Sequence, residues 1–179
     1  ALATLLSALP ESLDAAILIC QHVDLKFAKT LAEWLNSQTA IKVEIARQGM
    51  RPKSGVAMVA GTNDHLVLTP DMTLNYTPHP LDYPYRPSVN ALFESILTYW
   101  PRKDLAILLT GMGRDGGEGM SMLRKAGWHT IVQDEKTSIV YGMPAFAVEL
   151  GAAIEILPLE KIAGACLLYT SDAADEEDS

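Results

Sequence analysis

Apolar positions along the chain keep two rhythms, one of strands and one of helices. Residues 15–20 (AAILIC) form an unbroken apolar run of strand length, and residues 25–35 repeat apolar positions at helical spacing. Phe27, Leu31, Trp34 and Leu35 are expected to share the apolar face of that helix. Residues 41–46 alternate as a half-buried strand, residues 56–60 make another, and residues 65–76 read as a hairpin turning at Thr69-Pro70-Asp71. Pro78, Pro80, Pro84 and Pro87 exclude regular structure between 77 and 87 and predict a rigid surface loop.

Ser88 is placed to cap a helix running to about Trp100. The uninterrupted run 105–109 (LAILL) then predicts a central strand covered on both faces. A helix over 117–126 should close at Gly127, a natural left-handed terminator. Residues 129–133 form the next strand, Pro144 opens a helix at its first turn, and residues 153–157 make a final strand. This order predicts an α/β fold: a doubly wound, mostly parallel sheet with helices on both faces, a Rossmann-like three-layer sandwich.

Composition narrows the class. At 179 residues, 49% hydrophobic and 20% charged, the chain has the make-up of one ordinary globular domain. Of its 22 acidic residues, five crowd into the last eight positions, leaving 17 against 14 bases and no basic footprint for nucleic acid. The closing stretch LLYTSDAADEEDS has no packing pattern and is expected to be disordered or foreign to the gene. The domain division is therefore 1–165 for the folded unit and 166–179 for the tail. Two cysteines, Cys20 and Cys166, define no disulfide framework and suit a reduced, cytoplasmic setting. No apolar stretch reaches the roughly 20 residues of a membrane span.

Candidate chemistry centres on LLTGMGRDGGEGM, residues 108–120. Gly111, Gly113 and Gly116 match G-x-G-x-x-G after a strand, and Asp134 follows near the distance of a ribose-binding carboxylate. A dinucleotide cradle is therefore one reading. Against it stands Asp115 inside the turn, since its charge would repel phosphates. The alternative is a turn that turns backbone N–H groups toward a transient oxyanion and presents Asp115 to a partner. That partner is His22, two residues beyond the first strand. Both groups lie at strand carboxyl ends, where open parallel sheets hold their ligands, and together they are two parts of a nucleophile–base–orienter relay. Taken singly, His22 also reads as a loop histidine bonded to a carbonyl, and Asp115 as a turn-former before glycine.

The remaining candidates have plainer readings. Cys20 at a strand end suits the core, as do Met112, Met120, Met122 and Met143. His65, His79 and His129 lack metal-ligand spacing. Arg86 is suited either to anchoring a substrate carboxylate or to tying down the proline-rich loop.

With ICQHV upstream and YGMP downstream, the glycine stretch resembles the CheB-type protein-glutamate methylesterases. ICQHVDLKFAKTLAEWL, DYPYRPSVNALF and AGWHTIVQDE make it most similar to the WspF-like branch, tied to surface-sensing chemosensory systems. The resemblance spans residues 1 to about 165. It implies a serine–histidine–aspartate hydrolase with no metal or cofactor, in which His22 is the base, Asp115 its orienter and the Met112 N–H an oxyanion donor. It also implies hydrolysis of glutamyl methyl esters, or deamidation of glutamines, on cytoplasmic helices of chemoreceptors. An upstream receiver domain, phosphorylated by a chemosensory histidine kinase, would be the regulatory partner.

The serine does not carry over. The family's G-x-S-T-G-G-P turn would precede Ala1, so the first strand is expected to be truncated and the 179 residues to be inactive alone. Ser7, Ser12, Ser88 and Ser95 all fall in or beside helix patterns. Two other functions stay open from sequence: dinucleotide binding through Gly111, Gly113, Gly116 and Asp134, and a non-catalytic regulatory module.

Overall fold

In the computed structural model, residues 1–177 are described. Along the chain run α1 (Leu2–Ser7), β1 (Ile17–Ile19), α2 (Leu25–Gln38), β2 (Lys42–Ile45), β3 (Val56–Val59), β4 (His65–Leu68) and β5 (Leu74–Thr77). There follow α3 (Val89–Tyr99), β6 (Leu105–Leu108), α4 (Gly117–Lys125), β7 (His129–Gln133), α5 (Met143–Glu149), β8 (Glu155–Leu157) and α6 (Leu159–Glu177). Six strands are parallel, in two three-stranded sheets of order β1-β3-β2 and β6-β7-β8, while β4 and β5 form an antiparallel hairpin.

Alternation along the central strands explains the layers. Ala57 and Val59 of β3 face a core shared with Ile131 of β7, with Leu5 and Leu6 of α1, Leu35 of α2 and Ile162 of α6. That one cluster joins both parallel sheets beneath α1, α2 and α6. Val56 and Met58 turn to the opposite side, where the β4–β5 hairpin and Leu92 of α3 cover them. Val132 points to a third cluster with Phe93, Met120, Leu123 and Ala147, from α3, α4 and α5. Helices thus cover both faces, as the strand–helix order predicts, with the hairpin standing in for a helix over β3. β1 pairs only with β3 and β6 only with β7, so each leaves one edge unpaired among the described residues.

Local signals in the sequence act as expected. Ser88 caps α3 by accepting the Ala91 N–H. Gly127, at φ +94°, ends α4, with the Trp128 N–H returning to the Leu123 carbonyl at 3.0 Å. Pro144 sits in the first turn of α5.

Two expectations need correction. Phe27 and Trp34 do not face the core; they are 61% and 49% exposed, and α2 packs through Ala28, Ala32 and Leu35. Alanines at i and i+4, Ala28 and Ala32, let the helix lie close on the sheet, which turns the stripe of Phe27 and Trp34 outward. The stretch from Cys166 is not irregular either. α6 continues to Glu177, anchored by buried Ile162, Ala163 and Cys166 and extended by Thr170 and Ser171 hydroxyls on carbonyls one turn back. Among the described residues no helix is long and apolar enough to cross a membrane.

Candidate active site

Three segments meet at the carboxyl ends of the parallel strands. After β1 the chain leaves the sheet through Gln21 and His22. After β6 it turns through Gly111–Gly116, where Gly113 and Gly116 take φ of +92° and +88°, left-handed values that favour glycine. The proline-rich loop then brings in Tyr85 and the start of α3.

His22 and Asp115, 93 residues apart in sequence, form a 2.6 Å hydrogen bond between Nε2 and Oδ2. The aspartate is enclosed and the histidine reachable, with side chains 3% and 21% exposed. Asp115 is also seated on the N-terminus of α3. Its Oδ1 accepts from Ser88 Oγ at 2.8 Å and Asn90 N–H at 3.1 Å, and its Oδ2 accepts from Val89 N–H at 2.7 Å. Four donors and the positive end of a helix dipole therefore surround one carboxylate. Burial by itself would raise its pKa; the hydrogen bonds from His22, Val89, Asn90 and Ser88 outweigh that and hold it below the ordinary aspartate value.

An ionised carboxylate only accepts, so the shared proton sits on Nε2 of His22. In the neutral imidazole Nδ1 is then the unprotonated nitrogen, and no hydrogen bond to it occurs among the described residues. This fixes the tautomer and leaves one basic lone pair free.

The glycine turn is braced from behind by the stretch YGMP. The Met143 N–H donates to the Gly111 carbonyl at 2.8 Å, and the Gly111 N–H donates to the Val140 carbonyl at 3.0 Å. Gly142 packs so closely that a Cβ there would lie 2.8 Å from Gly111 O and 2.9 Å from Gly113 N. These are backbone atoms and cannot rotate away. Gly142→Ala is accordingly expected to lose about 1–3 kcal/mol of stability, measurable by urea unfolding. Met112, at the crest of the turn, is 72% exposed, and its N–H makes no hydrogen bond among the described residues.

The other candidates separate clearly. Cys20 lines the core, and burial first, then the charge of Asp115, pushes its thiol far above the ordinary range; it offers no thiolate at neutral pH. Burial likewise raises Cys166 to about 11. Ser7 bonds the Thr4 carbonyl, Ser95 the Leu92 carbonyl, and Ser88 is committed to Asp115; no serine among the described residues bonds His22. Asp134 closes a local turn onto Thr137, so it does not join Gly111, Gly113 and Gly116 in a ribose site. His129 pairs with Glu155 instead. No group of three or more His, Cys, Asp or Glu side chains among the described residues is arranged to hold a metal ion.

Arg86 is exposed and has no ion pair among the described residues, so it does not tie the loop down. With His22, Asp24, Asn63, Asp64 and Tyr85 it lines an open cavity of about 650 Å³. An open groove lined by Phe27, Leu31 and Trp34 also includes His22.

Several residues escape the sequence reading. Ser88 is legible as a helix cap but not as a donor to Asp115. His65, which looks incidental in sequence, is fully buried; it accepts the Ser88 N–H at Nδ1 and donates from Nε2 to the Pro80 carbonyl, both at 3.0 Å. It steadies the start of α3. Tyr85 stacks on the His22 ring. Only tertiary contact reveals either role.

The chain is similar to several known proteins. A sequence model of the CheB methylesterase family matches residues 1–166. Protein-glutamate methylesterase/protein-glutamine glutaminase 2 of Cupriavidus metallidurans is 54% identical over 163 residues, 91% of this chain and 48% of that protein. The corresponding enzyme 1 of Burkholderia lata is also 54% identical, over 164 residues that cover 92% of this chain and 49% of its own. The chain thus spans about half the length of these relatives. The crystal structure of the Thermotoga maritima CheB methylesterase catalytic domain superposes with a TM-score of 0.88 at 30% identity, covering 92% of this chain and 89% of that one. A family match over nearly its whole length, together with that superposition, shows that the chain belongs to the CheB methylesterase family.

Proposed function

We propose that the protein hydrolyses glutamyl methyl esters on the cytoplasmic helices of chemoreceptors, and deamidates glutamines there, through a serine–histidine–aspartate mechanism. The observation that carries this assignment is the His22–Asp115 pair, an oriented base with one open nitrogen, whose aspartate lies in the same glycine turn that holds the unpartnered Met112 N–H. The nucleophilic serine is assigned to a strand and turn outside these 179 residues, entering between the free edges of β1 and β6. Both edges carry unpaired N–H and C=O groups that a parallel strand would satisfy.

In this mechanism His22 Nδ1 takes the serine proton as Oγ attacks the ester carbonyl. The Met112 N–H stabilises the tetrahedral oxyanion. The imidazolium, stabilised by Asp115, returns the proton to the leaving methoxide, and methanol departs. His22 then deprotonates a water that attacks the acyl-enzyme, which frees the glutamate carboxylate and regenerates serine. With an amide substrate, ammonia leaves instead of methanol. The greater length of the relatives supports a receiver domain, phosphorylated by a histidine kinase, as the upstream regulator in a cytoplasmic signalling protein.

The test compares the full gene product with the 179-residue chain on methylated chemoreceptor, measuring released methanol. Release is expected from the first and none above background from the second. Equal rates from both would place the nucleophile inside residues 1–179 and overturn the assignment.

A further inference from the structure

We infer that Tyr85 is a positioning residue for the base: its ring sets the plane of the His22 imidazole, so that Nδ1 faces the reacting group. The inference rests on the function proposed for His22. It concerns a residue that neither the His22–Asp115 pair nor the glycine turn includes.

A single hydrogen bond leaves a degree of freedom. The bond from Nε2 to Asp115 Oδ2 fixes one atom of the imidazole, but the ring can still roll about the N···O line. Rolling swings Nδ1 through an arc while the bond to aspartate survives. A flat contact on the ring face removes that motion, and Tyr85 supplies one. Its ring lies parallel to the imidazole, with centroids 4.4 Å apart and planes 4° from coincidence. The same face favours the imidazolium that forms as the nucleophile is deprotonated, because a cation over an aromatic face is stabilised.

Tyr85 is itself held in place. Gly113 leaves room for its hydroxyl; a Cβ at that position would collide with Tyr85 Oη. The ring is therefore wedged between the base and the glycine turn. Three residues further on, Ser88 begins the run of donors, Ser88 Oγ and the Val89 and Asn90 N–H groups, that grips both oxygens of Asp115. One short segment, residues 85–90, thus touches the face of the imidazole and seats its carboxylate partner. The Tyr85 hydroxyl makes no hydrogen bond among the described residues, so the ring and not the hydroxyl carries the role.

The experiment uses the full gene product with Tyr85→Phe and Tyr85→Leu. Methanol release from methylated receptor should fall about 10²-fold in kcat for Tyr85→Leu, the scale of a misplaced catalytic group, with KM little changed. Tyr85→Phe should stay within about threefold of the parent, since the stacking face is retained. Tyr85→Met replaces the leucine variant if that one fails to fold. In the same proteins labelled with 15N-histidine, the His22 Nε2 proton is identified by its loss in His22→Ala. It should keep its slow exchange in Tyr85→Phe and broaden or exchange rapidly in Tyr85→Leu.

Unchanged kcat and unchanged proton exchange in the leucine variant would overturn the inference, as would a phenylalanine variant as impaired as leucine. If the parent itself releases no methanol, the esterase assignment fails, and the imidazole signal still decides the role of Tyr85.

Discussion

His22→Ala in the full gene product is expected to lower methanol release by about 10⁴-fold or more, with the fold intact. The size of the loss follows from the two duties that the proposed mechanism gives the side chain, taking a proton from the nucleophile during acylation and from water during deacylation. Among the described residues, neither Asp115 nor Cys20 offers a substitute. Asp115 is enclosed and saturated by four donors, and Cys20 holds a thiol that burial keeps protonated. His22 sits in a loop after β1 and outside the core clusters, so circular dichroism should stay near the parent, while loss of its hydrogen bond to enclosed Asp115 lowers the unfolding midpoint modestly. Activity retained at the parent rate would show that another residue is the base.

Asp115→Asn is expected to cost a comparable factor, about 10⁴ in kcat, and to lower stability as well. Either oxygen of Asp115 accepts from two donors, so an amide nitrogen in either place faces N–H or O–H groups head-on. If it takes the Oδ2 position, His22 must present a lone pair at Nε2 and carry its proton on Nδ1. The nitrogen needed as the base is then blocked. If it takes the Oδ1 position, the Ser88 hydroxyl and the Asn90 N–H lose their acceptor, at about 1–3 kcal/mol for each buried group left unsatisfied.

The pH dependence follows with a definite sign. The folded-state carboxyl is held below its ordinary pKa, so its contribution is fully present above the ordinary aspartate range and is lost as pH falls through the depressed value. The stability gap between parent and Asp115→Asn should therefore be constant near neutrality and narrow below about pH 4. Chemical unfolding at several pH values measures it. A gap that persists in acid would mean that the charge of Asp115 contributes nothing to the fold.

Legibility in the sequence tracks how local each determinant is. The apolar runs 17–19, 56–59 and 105–108, the Ser88 cap, the Gly127 terminator and Pro144 act within a few residues and form the elements their chemistry predicts, although only 56–59 is buried throughout. β1 and β6 are partly buried and end their sheets among the described residues, so the run at 105–108 is not the fully covered central strand that its pattern predicts. The exposed stripe on α2 shows the limit of pattern reading. Phe27 and Trp34 are the aromatic residues of that helix, but alanines at 28 and 32 permit closer contact with the sheet, and proximity to it decided the buried face. The helical reach of α6 is a second case, since its early residues are anchored by α1 and the sheet, partners that a short window does not include.

By itself the sequence determined the α/β order and the parallel strands, and it singled out the two side chains proposed to react, because hydrophobic period and turn chemistry are written in neighbouring residues. The tertiary structure alone decided that α3 would present its N-terminus to Asp115, that His65 would hold Ser88, and that Tyr85 would lie flat against His22. Those contacts join residues well separated in sequence, 23 apart for His65 and Ser88 and 26 apart for Val89 and Asp115, with Tyr85 and His22 further apart still. Their strength depends on distance, orientation and burial, which exist only once the strands have set the loops side by side.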